Sequence, residues 1–518
     1  MGGFWNPIGF FALWFLFFLG PYLMATKPPH RAVMIVVVGA ALFGPEVYFF
    51  RPPSSPPLTK FTFPMVALMP YALMTQSARI QRAGLFTRID GLILLGLFGS
   101  AMTGITNGDT LVYGSWIVNE IPALSLKDGL FVGIAEFLYT GCPFLLARWF
   151  FRRPEHLRDL VGFMVVVGLL QVPFILLELR LSPMIHERVY GVFAHISFLQ
   201  TLRWGGYRPM VFTQHGLALA IFMFAATYCA LLIHRTDKKP VFRLGSGPVF
   251  AVLAVILVLC KSTGAILWGL MFFPVLWKTK AKTLQRTAVV LALIVALYPL
   301  LRAANWVPID TVLQYSAKIS DERRDSMAFR FMNEGILLEK ARERIWFGWG
   351  SYGRNGIYSD EIGTKEISVS DGHWIICIGI GGVVWFAEAF GLLVFPVLMA
   401  AGARKRLTDR RHSHLLGACS LLLAILAFEL IPNGLYANWA YIFAGALAGC
   451  AQEIRRNPSA WQGGDGPPWA RGGPPMPPAP PMPPPVLYPP PVGPAAGPGA
   501  RGPGWPPGPD PRSSAPPG

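Results

Sequence analysis

The stretch S-V-S-D-G-H-W-I-I-C-I-G-I-G-G, residues 368–382, reads as the entrance of a membrane helix that carries an aspartate, a glycine and a histidine ahead of its apolar run. The run continues to residue 402, more than enough to cross about 30 Å of hydrocarbon. The rest of the chain has the same character: of 518 residues, 53% are hydrophobic and only 14% charged, with a mean hydropathy of +0.44. These values mark an all-α, polytopic membrane protein. About thirteen spans are expected, at 6–25, 32–50, 61–77, 88–106, 128–148, 159–178, 211–234, 246–260, 262–277, 286–302, 373–402, 414–432 and 435–452.

Charge placement orients them. Short cytoplasmic loops collect Lys and Arg, and the basic clusters here are Arg79, Arg82 and Arg88; Arg148, Arg152 and Arg153; Arg235, Lys238 and Lys239; Lys278, Lys280 and Lys282; Arg404, Lys405 and Arg406; and Arg455 with Arg456. An even number of expected spans separates each cluster from the next, so all fall on the cytoplasmic side, with the N-terminus outside and the C-terminus inside. The outward connections are 107–127, 179–210, a tight turn at Lys261, and 303–372. The net charge of +17 is therefore an orientation signal, and nucleic acid is not an expected partner. The first apolar run lacks a basic leader and a cleavage site and is taken as a retained helix. All six cysteines fall in or at the ends of spans without C-x-x-C spacing, which suggests neither disulfides nor a zinc site. The transmembrane domain is placed at 1–456. Residues 457–518 turn Pro/Gly-rich and read as a disordered cytoplasmic tail, either a plain solvated extension or a ligand for SH3-like or WW-like partners.

Candidate chemistry lies on the outward side, where Arg and Lys are normally sparse. Arg180, Arg188, Arg203, Arg208, Lys261, Arg323, Arg324, Arg330, Arg342, Arg344 and Arg354 break that pattern. Asp321, Glu322, Asp325, Glu334, Glu339 and Glu343 offer partners on a solvated face for part of the set. Residues 326–345 read as an amphipathic helix capped by Asp325 or Ser326, with Met327, Phe331, Leu338, Ala341 and Ile345 as an apolar stripe toward the lipid boundary. Arg330, Asn333, Glu334, Leu337 and Arg344 then face a cavity. Arg330 is either an i,i+4 partner of Glu334 or a ligand-binding group. Arg208 starts the seventh span with Pro209 and has no acidic neighbour in sequence, with Gln214 and His215 one to two turns deeper. Lys261 either snorkels or points to the same site. Ser370 or Asp371 caps the eleventh span, and His373 projects from its first turn. Guanidinium groups complement a diphosphate and an imidazole handles a hydroxyl proton, so Arg208, Arg330 and His373 together suit a sugar carried on a lipid diphosphate. Arg203, His215, Lys261 and Asp371 complete the set as substrate-binding candidates.

The segment R-F-M-N-E-G-I-L-L-E-K-A-R-E-R-I-W-F-G-W-G (330–350), followed by a histidine at the head of a span bearing Gly381 and Gly382, resembles the signature region of the O-antigen ligase and O-antigen polymerase superfamily. K-S-T-G-A (261–265) looks like its S-x-G-A turn, and R-P-M-V-F-T-Q-H-G-L (208–217) like its earlier arginine-bearing segment. The likeness covers roughly residues 160–430. It departs from the pattern at Trp374, where Asn is common, and at W-F before G-W-G, where Pro is usual. The resemblance implies a GT-C-like glycosyltransferase on the periplasmic face of the bacterial inner membrane. It would move a glycan from undecaprenyl diphosphate to an acceptor hydroxyl, on another lipid-linked repeat or a lipid A core, in surface polysaccharide or exopolysaccharide synthesis. Arg208 and Arg330 would hold the diphosphate and His373 the acceptor hydroxyl, with inversion at the anomeric carbon. No D-x-D motif is present, and no metal or cofactor is expected. Two other readings stay open: a flippase of lipid-linked sugars, though no repeated halves are visible, and a non-enzymatic assembly subunit that recruits partners through its tail.

Overall fold

The computed structural model describes residues 6–195, 197–236, 245–318, 320–435 and 438–462. Lys238, Lys239 and the tail from residue 463 onward lie outside the described residues. Helices dominate because apolar runs must satisfy their own backbone hydrogen bonds. The first half holds α1 (Pro7–Thr26), α2 (Pro29–Phe43), α3 (Phe63–Thr75), α4 (Ser77–Ala83), α5 (Gly91–Thr106), α6 (Leu126–Glu136), α7 (Cys142–Phe150), α8 (Pro154–Leu181) and α9 (Ile185–Tyr190). A five-residue π turn, Phe137–Gly141, joins α6 to α7 into one span. The second half holds α10 (Gly216–Thr236), α11 (Ser246–Leu259), α12 (Thr263–Lys278), α13 (Ala281–Ala303), α14 (Ile309–Ala317), α15 (Asp321–Glu343), α16 (His373–Arg404), α17 (Arg410–Glu429) and α18 (Trp439–Arg456).

Each of the thirteen expected apolar segments overlaps a helix, but the second, 32–50, runs past the end of α2 at Phe43 into the strand Phe49–Phe50. Among the described residues, eight helices are long and apolar enough to cross a membrane, while α2, α3, α11 and α12 are shorter apolar helices. α17 lies innermost, with 94% of its apolar window buried against 28% for α13. Close approaches rest on glycine. A Cβ on Gly445 or Gly449 of α18 would lie within 2.5 Å of backbone oxygens of α7, and one on Gly104 or Gly129 would collide across the α5–α6 contact. All six cysteines are buried and free.

The two ends of the bundle differ. At one end the basic clusters meet: Arg148 pairs with Asp90 at 2.8 Å, both buried, Arg456 donates to the Arg82 carbonyl, Arg406 donates to the Arg455 carbonyl, and Arg152 pairs with Glu453. Residues 457–462, expected as the start of the disordered tail, pack here instead. Pro458–Trp461 is a 3-10 turn, and the fully buried Trp461 donates to the Arg152 carbonyl at 3.1 Å. An indole that finds apolar cover and a carbonyl at once outweighs the Pro-rich context.

The other end is loop-rich. It carries three two-stranded hairpins, Phe49–Phe50 with Leu58–Thr59, Leu111–Tyr113 with Asn119–Ile121, and Leu202–Arg203 with Gly206–Tyr207. α15 lies there too, and it starts at Asp321 rather than at a cap on Asp325 or Ser326. Asp321 and Glu322 suit the first turn of a helix, which gains a turn by starting with them. Its exposed apolar side chains are Phe329, Met332 and Ile336, whereas Leu338 and Ala341 of the expected lipid-facing stripe are buried, as are Asn333, Glu334 and Leu337. The helix is covered on two faces, because its polar face finds buried hydrogen-bond partners.

Candidate functional site

α16 is not continuous. Gly382 (φ 69°, ψ −168°) breaks it nine residues in, which frees backbone groups on both sides of the break. The G-W-G loop takes them up: Trp349 N–H donates to Gly379 O at 2.8 Å and Gly350 N–H to Ile380 O at 2.9 Å, while Val383 N–H donates to Ile345 O at 2.8 Å. Gly348 and Gly350 both have positive φ, and a Cβ on Gly348 would lie 2.5 Å from the Ile380 carbonyl. Irregular backbone inside a bundle persists when protein groups satisfy it in this way. The glycine motifs of 348–350 and 381–382 are therefore two halves of one interlock.

The head of α16 is a dock for α15. Trp374, fully buried, donates to Glu334 at 3.4 Å, and Glu334 also accepts from Tyr298 at 3.3 Å and lies 3.6 Å from Arg302. Burial pushes the Glu334 carboxyl up, against the pull of these donors. Asn333 accepts from Val369 N–H at 2.8 Å. Arg330, three residues before Asn333, pairs with Asp371 at 3.3 Å, both side chains 36% exposed, and donates to Pro432 O at 3.2 Å. The i,i+4 pairing of Arg330 with Glu334 is thus replaced by two separate partnerships. Asp371 spends its carboxylate on Arg330 and does not cap α16, and no side-chain hydrogen bond caps that helix from Gly372. The His373 N–H instead reaches carbonyls of the α17–α18 turn, Leu430 O at 2.9 Å and Asn433 O at 3.2 Å. The His373 imidazole is turned into the bundle, 5% exposed, with Nε2 3.4 Å from Cys377 Sγ.

Arg208 belongs to a different group. The seventh span begins at Gly216, five residues later than expected, because Glu178 at the end of α8 holds residues 210–211 in a hook: its carboxylate accepts from Met210 N–H at 2.7 Å, Val211 N–H at 2.8 Å and Ile185 N–H at 3.1 Å. Pro209 therefore starts a turn, and Gln214 and His215 precede the helix. The hook buries the Arg208 guanidinium (4% exposed) beside Gly216, where a Cβ would lie 2.9 Å from it. Lys261, at the α11–α12 turn with φ 49°, extends Nζ toward Gly206 of the Leu202–Tyr207 hairpin, and Arg203 stands on that hairpin. His215 hydrogen bonds Gln200 at 3.2 Å, and its ring lies 5.1 Å from that of His195.

No carboxylate lies within ion-pair distance of Arg203, Arg208 or Lys261 among the described residues, and Arg208 Nε has no hydrogen-bond partner among them. Burial, then Arg203, pushes the Arg208 pKa down to about 10, still protonated at neutral pH. Burial, then Arg208, pushes His215 down to about 3, so its imidazole is neutral. Three positive charges with nothing opposite are electrostatically incomplete, and an anion with several oxygens completes them.

Arg208, Arg203, Lys261 and His215 thus come together, as do Arg330, Asp371 and the backbone of His373. α12 starts two residues after Lys261; a Cβ on its Gly264 would lie 4.0 Å from Glu429, a residue that in turn lies in the field of Arg330. Glu178 and Glu429 went unnoticed in the sequence. Each is a lone acid at the end of an apolar run, and that costly placement is the signal that points to them. The chain matches no protein-family model and no curated protein.

Proposed function

We propose that this chain is a GT-C-like membrane glycosyltransferase whose thirteen expected spans all cross the bacterial inner membrane. It transfers a glycan from undecaprenyl diphosphate to an acceptor hydroxyl in surface polysaccharide polymerisation or ligation. The loop-rich end faces the periplasm, and the basic end and tail the cytoplasm. The observation that carries the reading is the cation group Arg203, Arg208 and Lys261, unmatched by any carboxylate among the described residues, with the segment after Arg208 held by Glu178 through Met210 and Val211. In this scheme the group binds the diphosphate and stabilises its charge as the bond from the anomeric carbon to the diphosphate oxygen breaks. The acceptor oxygen attacks the opposite face, which inverts that carbon, and its proton passes to a base, the role the family resemblance gives His373. Arg330, in a half-exposed pair of modest strength, can exchange Asp371 for a phosphate or sugar oxygen.

The acceptor role of His373 rests on the family resemblance, since the ring faces Cys377 rather than the loop-rich surface. Its test is the size distribution of lipid-linked and surface glycan in cells lacking the protein, complemented with wild type or His373→Ala. Single repeats accumulating on the carrier identify a polymerase and full-length chains a ligase; normal glycan from His373→Ala at normal expression removes the histidine from the chemistry. Transfer by the purified protein is expected to survive EDTA, because arginines stand where a D-x-D enzyme needs a metal, and strict dependence on added Mg²⁺ would overturn the scheme.

The broken helix α16 is the one feature that favours a flippase, since transporters bind cargo at interrupted helices. Its freed backbone groups, however, are occupied by residues 345–350 and are not available to cargo.

A further inference from the structure

Beside the cation group lies a cavity of about 580 Å³, within the range of about 300–1,000 Å³ typical of small-molecule sites. It opens between the α2–α3 connection and the α6 span. Its walls include the aromatic rings of Phe61, Tyr139 and Trp385, the Glu136 carboxylate and the Gln214 amide. The Phe61 and Tyr139 rings stand 5.1 Å apart at 58°, leaving faces turned at an angle to each other. The Trp385 indole N–H is buried away from the open space, so this residue contributes its ring to the wall. The only lysine in the wall, Lys60, is already neutralised by Glu46 at 2.7 Å and by the carbonyls of Ala41, Gly44 and Phe212. Among the described residues the cavity therefore offers no free positive charge, in contrast with the cation group next to it. The two sites meet within one peptide unit: Gln214 lines the cavity while His215 faces Gln200 and the arginines.

Tilted aromatic faces, an amide and a carboxylate are groups that recognise a neutral ring bearing hydroxyls: the rings pack on its C–H faces and the polar groups take its hydroxyls. We propose that this cavity is a sugar-ring subsite, in which Glu136 and Gln214 bind the hydroxyls of a pyranose placed beside the cation group. The proposal deepens the glycosyl-transfer reading and rests on it for the identity of the neighbouring anion. A second hollow, also about 580 Å³, shares Pro57, Val132 and Ala135 with the first, so a longer glycan has room to extend outward.

The test uses the full chain in its own membrane. Phe61→p-benzoylphenylalanine is irradiated in cells, the purified protein is probed for carbohydrate by periodate–hydrazide labelling, and Phe98→p-benzoylphenylalanine, on the outside of α5 at 56% exposure, is the control. A carbohydrate adduct at position 61 and none at position 98 is expected. Adducts that also carry an isoprenoid diphosphate place a lipid-linked sugar in the cavity, and adducts without it place a free acceptor glycan there; both support the subsite. Lipid alone, or no carbohydrate, at position 61 overturns it. Glu136→Gln and Gln214→Ala, made on the Phe61 variant, should each lower adduct yield by about threefold to tenfold, the weight of one hydrogen bond. Unchanged yields in both would also overturn the assignment. Failure of the transfer reading shows separately: adducts that persist while glycan is normal in cells lacking the protein would leave a sugar subsite without a transferase.

Discussion

Asp109 gathers two arginines, while Arg208 has no carboxylate within reach among the described residues, although all three arginines stand at the same end of the bundle. Arg354, fully buried, donates to Trp349 O at 3.0 Å and to Asp109 O and Pro122 O at 2.9 Å, and it lies 3.3 Å from the Asp109 carboxylate. Arg344 approaches the same carboxylate at 2.7 Å and lies over the Trp349 ring at 4.1 Å. The hydrogen bond from Arg344 holds the Asp109 carboxyl below the usual range. Every charge there is answered inside the protein, so the region is finished as it stands. Around Arg208 the scaffold is just as rigid, but the charges are left open. An arginine in a loop thus says little by itself, and what separates anchoring from recognition is whether its partners belong to the chain.

The largest effect that sharpens this contrast is expected from Arg208→Ala. Glycan transfer should fall on the order of 100-fold or more, the scale of losing one preorganised donor to a developing anion. The thermal midpoint of the purified protein should hold or rise, since a desolvated cation without a partner has been removed. A large drop in midpoint would mean that Arg208 is structural and would erase the contrast. Arg354→Ala should behave in the opposite sense. It strands buried carbonyls and loosens the G-W-G loop, so stability should fall by about 3 kcal/mol, while transfer per folded molecule stays near wild type. Thermal denaturation in detergent and an assay normalised to folded protein separate the two outcomes.

What the sequence made legible follows the range of each interaction. The apolar runs are local and were readable to within a few residues at most segments, as was the α15 helix apart from its first turn. The seventh span was read too early because the cause, Glu178, lies 32 residues upstream of Met210, and only folding brings its carboxylate to those amides. Trp374 reads as a departure from the family pattern, where Asn is common, yet its indole donates to Glu334, 40 residues away. The three residues expected to converge divide in the same way. Arg208 kept its unpaired character because nothing acidic approaches it, whereas Arg330 met Asp371 and His373 turned inward for reasons set by the α17–α18 turn.

The smallest effect concerns His215, which probes the open charge of the Arg208 group without removing a cation. Burial and Arg208 hold its pKa near 3 in the folded chain, against an ordinary value of about 6.5. Between those values the unfolded chain binds the extra proton, so stability rises with pH across the window: the contribution of the neutral imidazole is fully present above about pH 6.5 and is lost as pH falls toward 3. His215→Gln should flatten that part of the curve of thermal midpoint against pH and leave the rest unchanged. An anion seated on Arg203, Arg208 and Lys261 reverses the local field and raises the imidazole pKa, so inorganic diphosphate should protect the wild type more strongly at pH 5 than at pH 7. His215→Gln should lose that extra protection at pH 5 but keep the protection seen at pH 7. Equal protection of the wild type at both pH values would show that the anion does not reach His215, and would locate any diphosphate site away from Arg208.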